Sequence, residues 1–279
     1  MKIQNSFKNN SKTLYVVSTP IGNLEDITIR AIDILKKVDI ILCEDTRTSI
    51  NLLNKYEIKN KLISYHDHNK EFKTDYILKL LDEGNDIALI SDAGTPLICD
   101  PGYELVKLLI LKEYNVVSIP GASSILASLT ASGLISHPFT FIGFLPKKIT
   151  ETKTLLTNYE KRSETLIFFD SPLRIKKDMT ILKEIYINRD IVLARELTKI
   201  FETIYHFNTS ENFIDLLEER GEYVVIISGK KELLVPIDTE LKRLYNAKLL
   251  DNDKLKELAK IYSIKKNELY KKVLELKNN

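Results

Sequence analysis

Two α/β domains, the first built on a mostly parallel sheet and the second on a mixed one, followed by a small helical segment, are what the 279-residue sequence predicts. Three observations carry this. From Leu14 to Pro120 short apolar runs alternate with helical patterns at the spacing of strand-helix-strand crossovers. From Phe139 to Ser228 apolar runs follow one another with fewer helices between them. From residue 237 to 276 helical periodicity continues without a strand.

The polar start, MKIQNSFKNNSK, lacks any apolar pattern, and residues 1–12 are expected to be a disordered tail. LYVVS, DIILC, KLISY, DIALIS and NVVSIP then read as strands of a domain spanning 13–120. Helical stretches such as Thr28 to Lys37 and Tyr103 to Lys112 separate them, so right-handed crossovers and parallel pairing follow. The domain junction falls between Pro120 and Pro138, with the Ser/Ala-rich helix Ala122 to Ser132 at the seam. FTFIGF, TLIFF, IVLAREL, KIFETIYHF and YVVIIS supply the strands of a second domain, 121–230. Two of these flank ELTK closely, which predicts a hairpin and hence a mixed sheet. Residues 231–279 form a helical extension in which LKELAKIYSIKKNELYKKVLEL breaks near Ser263. It reads either as a nucleic-acid-facing helical pair or as a lid or dimer arm.

Hydrophobic residues at 44% and charged residues at 29% are ordinary for a globular chain, and a net charge of +2 carries no global nucleic-acid signature. Charge is uneven, however: residues 231–279 hold 12 Lys and Arg against 8 Asp and Glu, so the extension is +4 and the remainder −2. No apolar run approaches bilayer length and the start has no signal-peptide core, so a cytoplasmic protein without membrane contact is expected. Cys43 and Cys99 stand beside strand ends and are expected to be reduced. In SYHDHN, His66 and His68 flank Asp67 and share one side of an extended segment, but no third ligand is in view, so no metal is expected.

Chemistry concentrates at the ends of the predicted strands, where open α/β sheets bind ligands. SDAGTPLICDPG, Ser91 to Gly102, follows one of them; Gly94 permits close backbone approach, and Asp92 offers a carboxylate to a ribose hydroxyl or a cation. TPIGNLED follows the first strand, EDTRT the second, GASSILASLTASGL the fifth and FLPKK the sixth. TPIGNLED has one glycine where a dinucleotide fingerprint needs three, and no phosphate-binding loop occurs, so a nicotinamide enzyme is disfavoured. In EDTRT, Asp45 or Thr46 either caps the following helix, with Arg47 paired to a carboxylate, or the carboxylates and Arg47 act on substrate.

These segments in this order, continued by FFDSPLR, ARELTKIFET and EYVVIISG, resemble the small-subunit ribosomal RNA (cytidine-2′-O)-methyltransferases, a branch of the tetrapyrrole-methylase superfamily. The resemblance covers Leu14 to Gly229. It implies a fold of the tetrapyrrole-methylase type, S-adenosylmethionine as cofactor, 16S ribosomal RNA of the small subunit as partner, and a homodimer. The cofactor set it implies is Pro20, Asp92, Gly94, Thr95, Ser123, Ser124 and Phe169. Glu44, Asp45 and Lys147 are the candidates for removing the hydroxyl proton, and Arg47, His66, Lys148, Arg174 and Arg195 for meeting RNA, with Phe144 or Phe169 available for stacking. Two other readings are methylation of a tetrapyrrole precursor and a non-catalytic RNA-binding role in ribosome assembly. PGASS departs from the pattern in which a proline often follows the glycine, and the Lys/Asn-rich extension departs as well.

Overall fold

The computed structural model describes residues 3–6, 12–66, 70–230, 237–262 and 264–278. Its chain divides into two compact units at Lys230. The larger unit contains two sheets of five strands each.

In the first sheet, β1 (Thr13–Val17), β2 (Ile40–Cys43), β3 (Lys61–Ser64), β4 (Ile87–Leu89) and β5 (Asn115–Ile119) lie in the order β3-β2-β4-β1-β5. Every pairing is parallel. Parallel strands need covering on both faces, which explains why β1, β2 and β4 are buried along their whole length and, apart from Thr13, are apolar. Helices α1 (Ile29–Lys37) and α2 (Thr46–Lys55) bury Ala31, Leu35, Leu52 and Leu53 against one face. Helices α3 (Lys70–Asp82) and α4 (Tyr103–Leu111) bury Ile77, Leu81, Leu105 and Leu109 against the other. Thr28 caps α1 by accepting from the Ala31 amide, and Asp45 caps α2 by accepting from Arg47. Gln4, within the stretch expected to be disordered, donates its side-chain amide to the Val116 carbonyl and accepts from the Val116 amide on edge strand β5.

The second sheet joins β6 (Phe139–Phe144), β7 (Thr165–Asp170), β8 (Asp190–Arg195), β9 (Thr203–Asn208) and β10 (Tyr223–Ile227) in the order β6-β7-β10-β8-β9. β6 and β7 pair in parallel and the remaining pairs are antiparallel, so the sheet is mixed. The predicted hairpin around ELTK is the β8–β9 connection. Helices α6 (Ile149–Glu160) and α7 (Ile175–Ile185) cover one face with Leu156, Ile175, Met179 and Leu182. The other face receives Ile21 from the loop after β1 and Leu129 from α5 (Ser124–Ala131). The Ser/Ala-rich helix at the predicted seam therefore joins the two sheets.

The smaller unit holds α8 (Ile237–Asn246), α9 (Asn252–Ile261) and α10 (Lys266–Asn278) around a core of Leu241, Leu244, Leu255, Leu258, Leu269 and Val273. Among the described residues no helix is long and apolar enough to cross a membrane.

Candidate active site

The strand order sets where ligand binds. β1 and β4 are neighbours, yet the chain leaves β1 toward β2 on one side and leaves β4 toward β5 on the other. The crevice between their carboxyl ends is thus a topological switch point. The loops there are sewn together: Thr19 donates its amide to the Gly94 carbonyl at 2.8 Å and Gly94 returns one to Thr19 at 3.1 Å. The Ser18 and Thr95 hydroxyls share a hydrogen bond of 3.0 Å, and the Thr95 hydroxyl lies 3.2 Å from the Ala122 carbonyl it donates to. Gly94 adopts φ +83°, and a Cβ there would lie 3.2 Å from Ile21 Cγ2, so the loop needs a residue without a side chain. Leu97 and Cys99 are held at φ +73° and +69° without being glycine, a concentration of backbone strain typical of ligand loops.

Against these loops opens a cavity of about 440 Å³, closed on its other side by Phe144, Phe169, Leu197 and Tyr223 of the second domain. Five carboxylates line it, Glu44, Asp92, Asp100, Asp170 and Glu222, and among the described residues no lysine, arginine or histidine does. Asp92 accepts the Asp45 amide at 3.2 Å, and burial, with the Asp45 charge, raises its pKa. Asp100 is pushed up to about 6 by burial first and then by the charges of Glu44 and Asp92. Asp170 and Asp178, 5% and 1% exposed, face each other at the far wall, and burial raises both.

The cavity thus gathers Asp92, Gly94, Thr95, Ser123, Ser124, Phe169 and Glu44 from the predicted set. Pro20 is buried behind the wall, and its neighbour Ile21 is the lining residue. Asp45 is outside, spent on capping α2 and on an ion pair with Arg47 at 2.7 Å that lowers its pKa. The helix-cap reading therefore describes Asp45, while Glu44 alone of the motif reaches the cavity. Lys147 and Lys148 are exposed on the turn after β6, with Lys148 paired to Glu151 at 3.0 Å. His66 stands beyond the end of β3 at the sheet's edge, away from the cavity, and Asp67 and His68 lie outside the described residues.

Two of the arginines expected to meet RNA are engaged within the fold. Arg195 is 5% exposed and binds the Arg220 carbonyl at 2.9 Å and Glu218 at 2.8 Å, so its charge is consumed inside the fold. Arg174 is likewise engaged, with its guanidinium on the Leu145 and Pro146 carbonyls. Both arginines follow apolar strand runs, and nothing local distinguishes an inward guanidinium from an outward one. Asp100 and Glu222 were not singled out in the sequence; the DPG turn that starts α4 was the available signal for Asp100, since such a turn also lies on the ligand side of the sheet.

The donor set tests what the cavity can hold. A phosphate-bearing cofactor finds no cation among the lining residues, whereas a ligand with sulfonium and ammonium charges finds carboxylates. The volume suits a ligand of nucleoside size. Asp92 and the capped start of α5 at Ser123 present acceptor and donor groups to the same space.

The Tetrapyrrole (Corrin/Porphyrin) Methylases match residues 13–212 of the chain. Ribosomal RNA small subunit methyltransferase I of Streptococcus pyogenes serotype M3 is 41% identical over 99% of this chain and 100% of that protein. The protein of the same name from Rickettsia prowazekii is 47% identical over 79% of each. Among solved structures, uroporphyrin-III C-methyl transferase from Thermus thermophilus complexed with S-adenyl homocysteine superposes with a TM-score of 0.56 at 19% identity, covering 78% of this chain and 97% of that one.

Proposed function

The chain belongs to the tetrapyrrole (corrin/porphyrin) methylases, and from that premise we propose that it methylates the ribose 2′-hydroxyl of a cytidine in 16S ribosomal RNA, using S-adenosylmethionine. The observation that carries the cofactor is the cavity at the β1/β4 switch point, lined by acids and, among the described residues, by no lysine, arginine or histidine. The observation that favours RNA over a tetrapyrrole is the identity of 41% along the whole chain to a ribosomal RNA methyltransferase, against 19% to the uroporphyrin enzyme.

Asp92, the backbone of Gly94 and Thr95, and Ser123 and Ser124 hold the cofactor, with Phe169 against it. When bound, S-adenosylmethionine supplies an electrophilic methyl group on a sulfonium. The chain's task is to align a hydroxyl with that group and to exclude water, and orientation of this kind supplies roughly 7–11 kcal/mol. Asp100 and Glu44 share the cavity and the hydroxyl's proton leaves to Asp100, whose affinity for protons is raised toward neutrality. Lys147, exposed three residues after the cavity residue Phe144, meets an RNA phosphate. The enzyme works as a homodimer on the small subunit.

Purified protein, labelled S-adenosylmethionine and small ribosomal subunits test the reading, with the product located by mass spectrometry of ribonuclease fragments. One cytidine carrying a ribose methyl is expected; a methylated base, or label on a tetrapyrrole only, would replace the proposal. Asp92→Ala should weaken cofactor binding by about 1.5–3 kcal/mol in calorimetry, the worth of a charge-assisted hydrogen bond.

A further inference from the structure

We propose that Arg174 is a positioning residue: it clamps the turn after β6 and thereby fixes Lys147, which follows the cavity residue Phe144 by three positions. The inference rests on the role given above to Lys147, and it concerns a residue that the sequence had assigned to RNA. Arg174 precedes α7, whereas the turn it holds is nearly thirty residues earlier in the chain. Its guanidinium donates to the Leu145 carbonyl at 3.2 Å and to the Pro146 carbonyl at 2.6 Å. The same group is 2.8 Å from Asp178, which is 1% exposed. A planar fork is suited to bridging two adjacent carbonyls, because its donors are fixed relative to each other.

The turn has few other restraints. Thr152, in the first turn of α6, donates its hydroxyl to the Pro146 carbonyl at 2.9 Å. On the cavity side the Phe144 ring packs against Phe169 at 5.4 Å. Pro146 has no amide to donate, so its carbonyl is the one backbone hydrogen-bonding group it contributes. Lys147 follows directly, exposed and without an ion pair among the described residues. Asp178 in turn shares its buried site with Asp170, a cavity-wall residue, so the clamp ties the turn to the wall as well as to α7.

Two measurements on the full-length protein separate this from a merely structural role. In RNA-free protein, hydrogen exchange at the Thr152 amide, which donates to the Lys148 carbonyl at 3.0 Å where the turn enters α6, should rise on the order of tenfold in Arg174→Gln, while β7 and β10 stay protected. Arg174→Lys, which keeps charge but not the fork, should restore the protection only in part. Unchanged exchange in the turn, or an equal rise throughout the domain, would overturn the clamp. In methyl transfer to small subunits, Arg174→Gln should raise KM for subunits about tenfold with cofactor affinity unchanged, and combining it with Lys147→Ala should cost no more than the larger single effect. Additive losses would mean that Arg174 acts independently of Lys147 and sink the proposal. Should Lys147→Ala leave subunit KM unchanged while Arg174→Gln still loosens the turn, the clamp stands and the RNA role of Lys147 falls.

Discussion

Asp100 shows how environment makes chemistry from an ordinary carboxylate. Half-buried beside Glu44 and Asp92, it holds its proton to about 6 rather than 3.8. A general base needs it ionised, so kcat/KM on subunits should rise with pH through about 6 and then level, and Asp100→Asn should remove that limb with most of the activity. The same shift has a stability consequence. The folded chain binds the proton more tightly than the unfolded one, so the contribution is present below 3.8 and lost as pH rises through about 6. Asp100→Asn should therefore raise Tm at pH 8 and leave it nearly unchanged at pH 3.5; a Tm lowered at pH 8 would contradict the burial argument. The neighbouring EDTRT motif divides similarly by environment. Glu44→Gln should reduce turnover with the fold intact, because Glu44 lines the cavity. Asp45→Ala should instead cost stability through the lost helix cap, with turnover on the surviving folded protein preserved. Chemical denaturation beside single-turnover kinetics distinguishes the two.

The loops that join the two domains depend on close backbone approach. Gly22 after β1 lies against the β8–β9 connection, where a Cβ would come 2.5 Å from Lys199 Cγ, 2.7 Å from the Thr198 hydroxyl and 2.9 Å from the Leu197 carbonyl. Asn23 donates its amide to that same Thr198 hydroxyl at 3.0 Å. The connection itself is constrained, with Glu196 and Thr198 at positive φ and Lys199 paired to Glu196 and Glu222 at 2.9 Å each. Leu197 and Glu222 both line the cavity, so displacing this contact changes the site. Gly22→Ala should destabilise by about 1–3 kcal/mol through overpacking and weaken cofactor binding with it. Gly133→Ala meets no atom within 4 Å and serves as the control, losing only the cost of its left-handed backbone, about 1 kcal/mol. Equal losses of cofactor affinity in both variants, followed by thermal melts and calorimetry, would show that the Gly22 contact does not shape the cavity.

At the level of the full chain, the helical unit after Lys230 has its own core and is separate from the unit that contains the cavity. A protein ending at Lys230 should therefore bind S-adenosylmethionine as the whole chain does. If the extension, at +4, grips RNA, its removal weakens subunit binding and flattens the salt dependence by an amount that scales with the phosphates released. If it is a dimer arm, sedimentation changes and the salt slope does not. The architecture was legible beforehand because strand and helix periods, glycine-proline punctuation and the order of five strand-end motifs are local properties, and local properties place a parallel sheet and its ligand edge without knowledge of contacts. The places of Asp92, Gly94, Ser123 and Ser124 along the cavity were legible for that reason. Arg174, Arg195, Asp45 and Asp100 were not, because a charged side chain's role depends on what stands opposite it. The carbonyls of Leu145 and Pro146, the Arg220 carbonyl, the start of α2 and the charge of Glu44 are brought to those four residues only by packing. Sequence spacing therefore determined where the cavity lies, while tertiary contacts decided which charges serve the fold and which face the cavity, since burial and the nearest partner set the cost of each ion.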